Sequence, residues 1–168
     1  MDLPLQEKLI DTKLSVLDQA VLNLRLLILA SEHYRQVIAE SMGLGTTESQ
    51  ALSYLAVHGS VGQSELARDL GLTSSALTAL VDRLERDGVA ERVSHASDRR
   101  RSIVQLTERG DSLLSGSHGW LAATLERIDP AALEVLSASL KVVAGDLSTR
   151  TSNDGSDAWS GTEDEPPA

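Results

Sequence analysis

Residues 63–110 read QSELARDLGLTSSALTALVDRLERDGVAERVSHASDRRRSIVQLTERG, and the punctuation of this stretch decides the fold. A short run with helical periodicity, Gln63 to Leu70, is closed by Gly71. Leu72 is apolar, and Thr73 is a good N-cap for a second run, Ser74 to Asp87. Leu77, Leu80, Val81 and Leu84 fall on one face of that helix, and Gly88 stops it. Two short alternating runs follow, 90–94 and 102–106. The polar segment His95-Ala96-Ser97-Asp98-Arg99-Arg100-Arg101 between them reads as a hairpin loop. Thr107 caps a further helix toward Ile128.

A helix of about eight residues, a tight glycine turn and a longer helix form a helix-turn-helix arrangement. A two-stranded hairpin directly after the second helix adds a wing. With Leu77, Leu80, Val81 and Leu84 buried, Ser74, Ser75, Thr78 and Arg83 fall on another face. Small hydroxyls near a helix N-terminus approach phosphates and base edges in a major groove without obstruction. Three consecutive arginines behind Asp98 stand at the hairpin tip, and guanidinium groups on a thin loop suit the narrow minor groove, where negative potential concentrates.

The stretch Gln63–Gly110 resembles the MarR (multiple antibiotic resistance regulator) family of bacterial winged-helix transcription factors. The resemblance is carried by Ser64-Glu65-Leu66-Ala67, Leu72-Thr73, Ala76-Leu77-Thr78, Leu80-Val81-Asp82-Arg83-Leu84-Glu85 and Gly88-Val89. It continues through Glu91-Arg92, Asp98-Arg99-Arg100 and Leu106-Thr107-Glu108-Arg109-Gly110. It implies double-stranded DNA as partner, with Arg100 entering the minor groove, Asp98 fixing the tip, and Arg99 and Arg101 reaching phosphates. Ser74, Ser75 and Thr78 would face the major groove, while Arg83 would contact the DNA backbone or brace the wing. Ala79 departs from the pattern, standing where many members carry a basic residue, which shifts base reading toward Ser75 and Thr78. The resemblance further implies a homodimer held by the first and last helices, a near-palindromic operator, a repressor role and a small lipophilic or phenolic effector. Tyr34, Arg35, Tyr54 and His58 are candidates to line an effector pocket.

Outside this stretch the chain reads as mostly α-helical. Leu supplies 28 residues and Ala 18 of 168, both strong helix formers. The first helix, from about Leu5 or Leu14 to Met42, is apolar around nearly its whole circumference between Leu22 and Ala30, so burial against another subunit is expected. Thr47 with Gln50 reads as a capping box opening a helix from Glu48 to about His58. Asp129-Pro130 opens the last helix, with Leu133, Leu136, Leu140, Val143 and Leu147 on one stripe. Gly116 and Gly119 predict a bend or frayed turn between Ser115 and Gly119. The expected organisation is an N-terminal dimerisation helix over 1–45, a winged helix-turn-helix lobe over 46–110, C-terminal dimerisation helices over 111–150, and an acidic, disordered tail over 151–168 that contains Trp159.

Other chemistries find little support. Cysteine is absent, which excludes disulfides and thiol sensing. His33, His58, His95 and His118 are scattered, so no metal site or other cofactor is expected. Ser117 and His118 are neighbours on a helix and do not face each other, and no acid–base cluster marks an enzyme. No apolar run is long enough for a membrane span, and Met1-Asp2-Leu3-Pro4 does not open a signal peptide, so a cytoplasmic protein is expected. The formal charge of −10 points away from DNA and toward the alternative of a winged-helix dimer that acts through protein partners. Its distribution reverses this: residues 61–110 hold eight basic and eight acidic groups, while 151–168 hold five acids and no Lys or Arg.

Overall fold

The computed structural model describes residues 15–94 and 102–152. In chain order the elements are α1 (Val16–Met42), α2 (Thr46–His58), β1 (Val61–Gly62), α3 (Gln63–Asp69), α4 (Ser74–Arg86), β2 (Ala90–Ser94), β3 (Ser102–Leu106), α5 (Glu108–Leu125) and α6 (Pro130–Ser152). They fall into two compact units, Met1–Ala51 and Leu52–Ala168.

In the first unit, Ser15 caps α1: its hydroxyl accepts from the Asp18 amide at 3.1 Å, and the Asp18 carboxylate accepts from the Ser15 amide at 3.1 Å. Those bonds hold the Asp18 carboxyl below its ordinary pKa. Ile38 and Ala39 are buried, whereas Leu17, Leu26 and Leu29 on the N-terminal half of α1 are 72%, 63% and 63% exposed. The all-round apolar helix therefore leaves its leucines open in the single chain. The second helix starts earlier than Thr47 and Gln50 suggest. Gly45 is its N-cap position, and the Glu48 carboxylate, three residues on, accepts from the Gly45 amide at 2.7 Å.

The second unit is built on an aliphatic core. Leu52, Leu66, Leu77, Leu80, Leu84, Val81, Val89 and Val104 are fully buried, each contributing about 1.5–3 kcal/mol relative to exposure. α3 and α4 are joined by Gly71 at φ 66°, a left-handed conformation that only glycine adopts without strain. The turn is closed by the Leu72 amide donating to the Ala67 carbonyl at 2.8 Å. The wing is broader than a hairpin. β1 pairs with β3, giving a three-stranded antiparallel sheet of order β1-β3-β2, in which Val61 faces Val104 and Arg92 faces Val104 from the other side. Two residues are too short a strand to read from periodicity, and the pairing is set by β3.

α5 is anchored to the wing at its first turn. The Thr107 hydroxyl accepts from the Gly110 amide at 3.2 Å and donates to the Gly88 carbonyl at 2.7 Å. Gly110 is buried there, and a Cβ on it would stand 2.1 Å from the Val89 carbonyl oxygen. The glycine is thus a packing requirement rather than a soft spot. α5 also runs unbroken from Glu108 to Leu125, so the frayed turn expected over 115–119 is absent. The cost of Gly116 and Gly119 is about 1 kcal/mol each, too little to open a helix held at both ends. α6 extends to Ser152, two residues into the segment read as tail, and residues 153–168 lie outside the described residues.

Gly110→Ala is expected to destabilise the protein by about 1–3 kcal/mol through overpacking, lowering the melting temperature by roughly 3–10 °C. Gly116→Ala, whose Cβ would meet nothing within 4 Å, is expected to raise it slightly. Calorimetric scans of both variants check this, and equal melting temperatures would refute the close-packing account.

Candidate nucleic-acid interface

α4 turns Leu77, Leu80, Val81 and Leu84 into the core, which leaves Ser75, Ala79, Asp82 and Arg86 as a solvent-facing ridge at helical spacing. Ser74, Thr78 and Arg83 are also exposed, on the flanks of that ridge. Thr73 caps the helix by accepting from the Ala76 amide at 3.2 Å, and its hydroxyl lies 3.1 Å from the Ser75 hydroxyl. The Thr78 hydroxyl donates to the Ser74 carbonyl at 2.9 Å, so its oxygen faces outward as an acceptor. Of the residues predicted from sequence, Ser74, Ser75, Thr78 and Arg83 are all exposed on α4, Ser74 and Thr78 on one flank of the ridge and Arg83 on the other. Asp98, Arg99, Arg100 and Arg101 lie outside the described residues.

An acid on this ridge would repel phosphate, and the structure answers it with Arg92. From β2, the Arg92 guanidinium makes an ion pair with Asp82 at 2.7 Å, a second with Glu85, and a hydrogen bond to the Thr78 carbonyl at 3.1 Å. The Arg92 amide donates to Glu85 at 2.8 Å as well. One side chain therefore pairs with two acids, halving their combined charge, and fastens β2 to α4. Arg92 is a brace between strand and helix that the sequence reading did not single out. A signal for it existed: Arg92 is the basic residue of a strand that comes after a helix carrying Asp82 and Glu85 a turn apart.

A second polar cluster closes α3 against the end of α2. The Tyr54 hydroxyl donates to Asp69 at 2.5 Å, Arg68 donates to the other Asp69 oxygen at 2.7 Å, and the His58 ring stacks on Tyr54 at 4.2 Å. Desolvation, then the bond to Asp69, pushes the Tyr54 phenol up to about 12. The bonds from Arg68 and Tyr54 hold the Asp69 carboxyl below its usual range. These residues line an open groove of about 880 Å³ together with Leu70, Gly71, Ser148, Thr149 and Thr151. Tyr54 and His58 line it as a ligand pocket would require, whereas Tyr34 and Arg35 sit on α1 in the other unit. Among the described residues no group of three or more His, Asp or Glu is arranged to hold a metal ion. No helix among them is long and apolar enough to cross a membrane.

Comparison with known proteins gives a consistent picture. The model of the MarR family matches residues 42–101. The HTH-type transcriptional regulator YfiV of Bacillus subtilis is 30% identical over 107 residues, which is 61% of this chain and 67% of the relative. The HTH-type transcriptional repressor MdtR of the same organism is 35% identical over 72 residues, 43% of this chain and 46% of the relative. Among solved structures, RV1404 from Mycobacterium tuberculosis superposes with a TM-score of 0.55 at 26% identity, covering 80% of this chain and 95% of that one. NadR in complex with 4-hydroxyphenylacetate gives 0.58 at 20% identity, covering 85% and 96%. A mutant of MepR from S. aureus bound to an oligodeoxyribonucleotide gives 0.50 at 21%, covering 76% and 97%. The last two share the fold.

The Tyr54 phenol predicts a pH signature. Its raised pKa means that the native chain keeps a proton which the unfolded chain releases near pH 10. The stabilisation is therefore complete below about pH 10 and is lost as pH rises toward about 12. Phenolate absorbance is expected to show one of the two tyrosines titrating near 12 in the folded protein, a step that Tyr54→Phe removes. Persistence of that step in the variant would contradict the Tyr54–Asp69 pairing.

Proposed function

The chain belongs to the MarR family of HTH-type transcriptional regulators, and we propose that it is a cytoplasmic repressor that binds a near-palindromic operator as a homodimer. Family membership makes it a DNA-binding regulator and not an enzyme. The observation that carries the reading is the exposed surface of α4, where Ser75 and Arg86 stand on the outer ridge with Ser74 and Thr78 on one flank and Arg83 on the other, while Arg92 pairs with Asp82 and Glu85. In this reading α4 lies in the major groove, with its hydroxyls at phosphates and base edges. Arg100 enters the flanking minor groove, with Arg99 and Arg101 on phosphates and Asp98 fixing the tip. A relative named as a repressor, MdtR, and the shared fold of DNA-bound MepR support it.

The homodimer is supported by apolar surface that each unit leaves open. Leu22, Leu26, Leu27 and Leu29 are exposed on α1, and so are Trp120, Leu121, Val142 and Leu147 on α5 and α6. Patches of this kind mark interaction surfaces. Two copies of α4 would then meet successive major grooves about 34 Å apart. A small lipophilic or phenolic effector would act by favouring one spacing of the two helices, so that DNA affinity changes by its differential binding to the two states. The complex of the similarly folded NadR with 4-hydroxyphenylacetate supports an effector of that class.

Duplex binding followed by fluorescence anisotropy tests the DNA reading. Affinity for selected operator fragments is expected to fall at least tenfold between about 50 and 200 mM salt, and Arg100→Ala to weaken it by a similar factor. Salt-independent binding, or an unaltered affinity in the variant, would overturn the assignment. For the dimer, sedimentation is expected to give twice the 17.9 kDa chain mass, and Leu26→Glu with Leu29→Glu to shift the equilibrium toward the single chain. A wild-type protein that sediments as one chain would refute it.

A further inference from the structure

Along the outer ridge of α4 the exposed side chains Ser75, Ala79, Asp82 and Arg86 follow one another about a turn apart. At about 1.5 Å per residue the ridge is about 16 Å long, the height of about five base pairs at about 3.4 Å each. Its hydrogen-bonding chemistry is uneven. Ser75 and Arg86, at the two ends, carry donors. Ala79 stands between them with a bare methyl group. Asp82, 53% exposed, presents a carboxylate that only accepts. On the flank beside them, Thr78 gives its hydroxyl proton to the Ser74 carbonyl at 2.9 Å, so its Oγ1 is left to accept as well. Arg92 directs its Nη1 at Asp82 and Glu85 and its Nη2 at the Thr78 carbonyl. Arg83 stands on the opposite flank and already interacts within the protein.

We propose that the middle of this ridge selects an A·T base pair and rejects guanine, with the thymine C5-methyl packed on the Ala79 methyl and the adenine 6-amine donating to the acceptors Thr78 Oγ1 and Asp82. The inference rests on the DNA-binding reading of α4 and deepens it by naming what the helix reads. In the major groove each base pair shows a distinct edge. Guanine presents two acceptors, O6 and N7, and its partner cytosine brings no methyl group. Set against Thr78 Oγ1 and the Asp82 carboxylate, the guanine acceptors would lose their water and meet no donor. An A·T pair meets the same surface with an amine for the acceptors and a methyl for the methyl.

The methyl contact contributes about a fourfold change in affinity, the effect of burying one methyl group. A wrong pair has the larger effect, since one mismatch in a site typically lowers affinity by about five- to hundredfold. Ser75 adds little selectivity, because its hydroxyl both donates and accepts and already lies 3.1 Å from the Thr73 hydroxyl. Selection at the middle of the ridge therefore comes as much from the donor that Ala79 lacks as from the acceptors beside it. An arginine at this position would reverse it, by bringing paired donors to guanine O6 and N7. If Ala79 were only a helix former on a solvated face, no base preference would depend on it.

Duplexes selected from a random library by the full-length wild type and by Ala79→Arg, then sequenced, test this. The wild type is expected to enrich an A·T position at which G·C in either orientation is depleted about fivefold or more. Replacing that thymine by uracil, which lacks only the C5-methyl, is expected to weaken wild-type binding about fourfold in fluorescence anisotropy. Ala79→Arg is expected to enrich guanine at the same position and to lose the sensitivity to uracil. The readout is base preference, so the added charge of the variant, which strengthens binding to all sequences alike, does not imitate the result. A variant that enriches the wild-type sequence, or a wild type that binds the uracil duplex as tightly as the thymine duplex, would overturn the role of Ala79 and leave DNA binding intact. Absence of binding to any duplex by either protein would overturn the DNA reading and this inference with it.

Discussion

The guanidinium of Arg92 is the contact on which the exposed side of α4 depends. It reaches from β2 to Asp82, Glu85 and the Thr78 carbonyl of α4, so one side chain sets the angle between the strand pair and the helix. Both carboxylates meet Nη1 and the Thr78 carbonyl meets Nη2, so a lysine, with its single nitrogen on a flexible stem, would not reproduce the planar fork. The guanidinium is 23% exposed, so the pairs are only partly screened, and losing it would strand two carboxylates in like-charge proximity. Mechanical and electrostatic roles coincide. The same contact that fastens β2 to α4 partly neutralises Asp82 and Glu85.

The junction at the base of the wing complements this brace. Thr107 joins the start of α5 to Gly88, and Gly110 lets the first turn of α5 lie on the Val89 carbonyl. The turn that ends α4 and the start of α5 are thereby held as one rigid corner. The Tyr54–Asp69–Arg68 cluster performs the matching service at the other end of the helix-turn-helix, tying α3 to α2.

Features set by neighbours in sequence were legible from the residues alone. The glycine at 71, the Thr73 and Thr107 caps and the leucine stripe of α4 each act within a turn or two, and the winged helix came out of them. The misses share a different cause. β1 exists only because β3 pairs with it, forty residues away. Arg92 was not singled out as a brace because its contact crosses from strand to helix. The need for glycine at 110 comes from the Val89 carbonyl, twenty-one residues earlier, which stands where its Cβ would be. At α2, Thr47 and Gln50 matched a capping pattern, but Gly45 and Glu48 satisfied the same backbone need two residues earlier. Local chemistry proposed the right elements and misjudged what each touches.

The formal charge of −10 would make a poor DNA ligand if it were spread evenly, and the sequence does not spread it. Two of the acids nearest the outer side of α4 are bound to Arg92, and Asp69 is held by Arg68 and Tyr54. Half of the net charge lies beyond position 150, at the end of a helix whose last turn adjoins the helix-turn-helix. Screening limits the reach of charge to about 10 Å at 0.1 M salt, so where the acids sit matters more than how many there are.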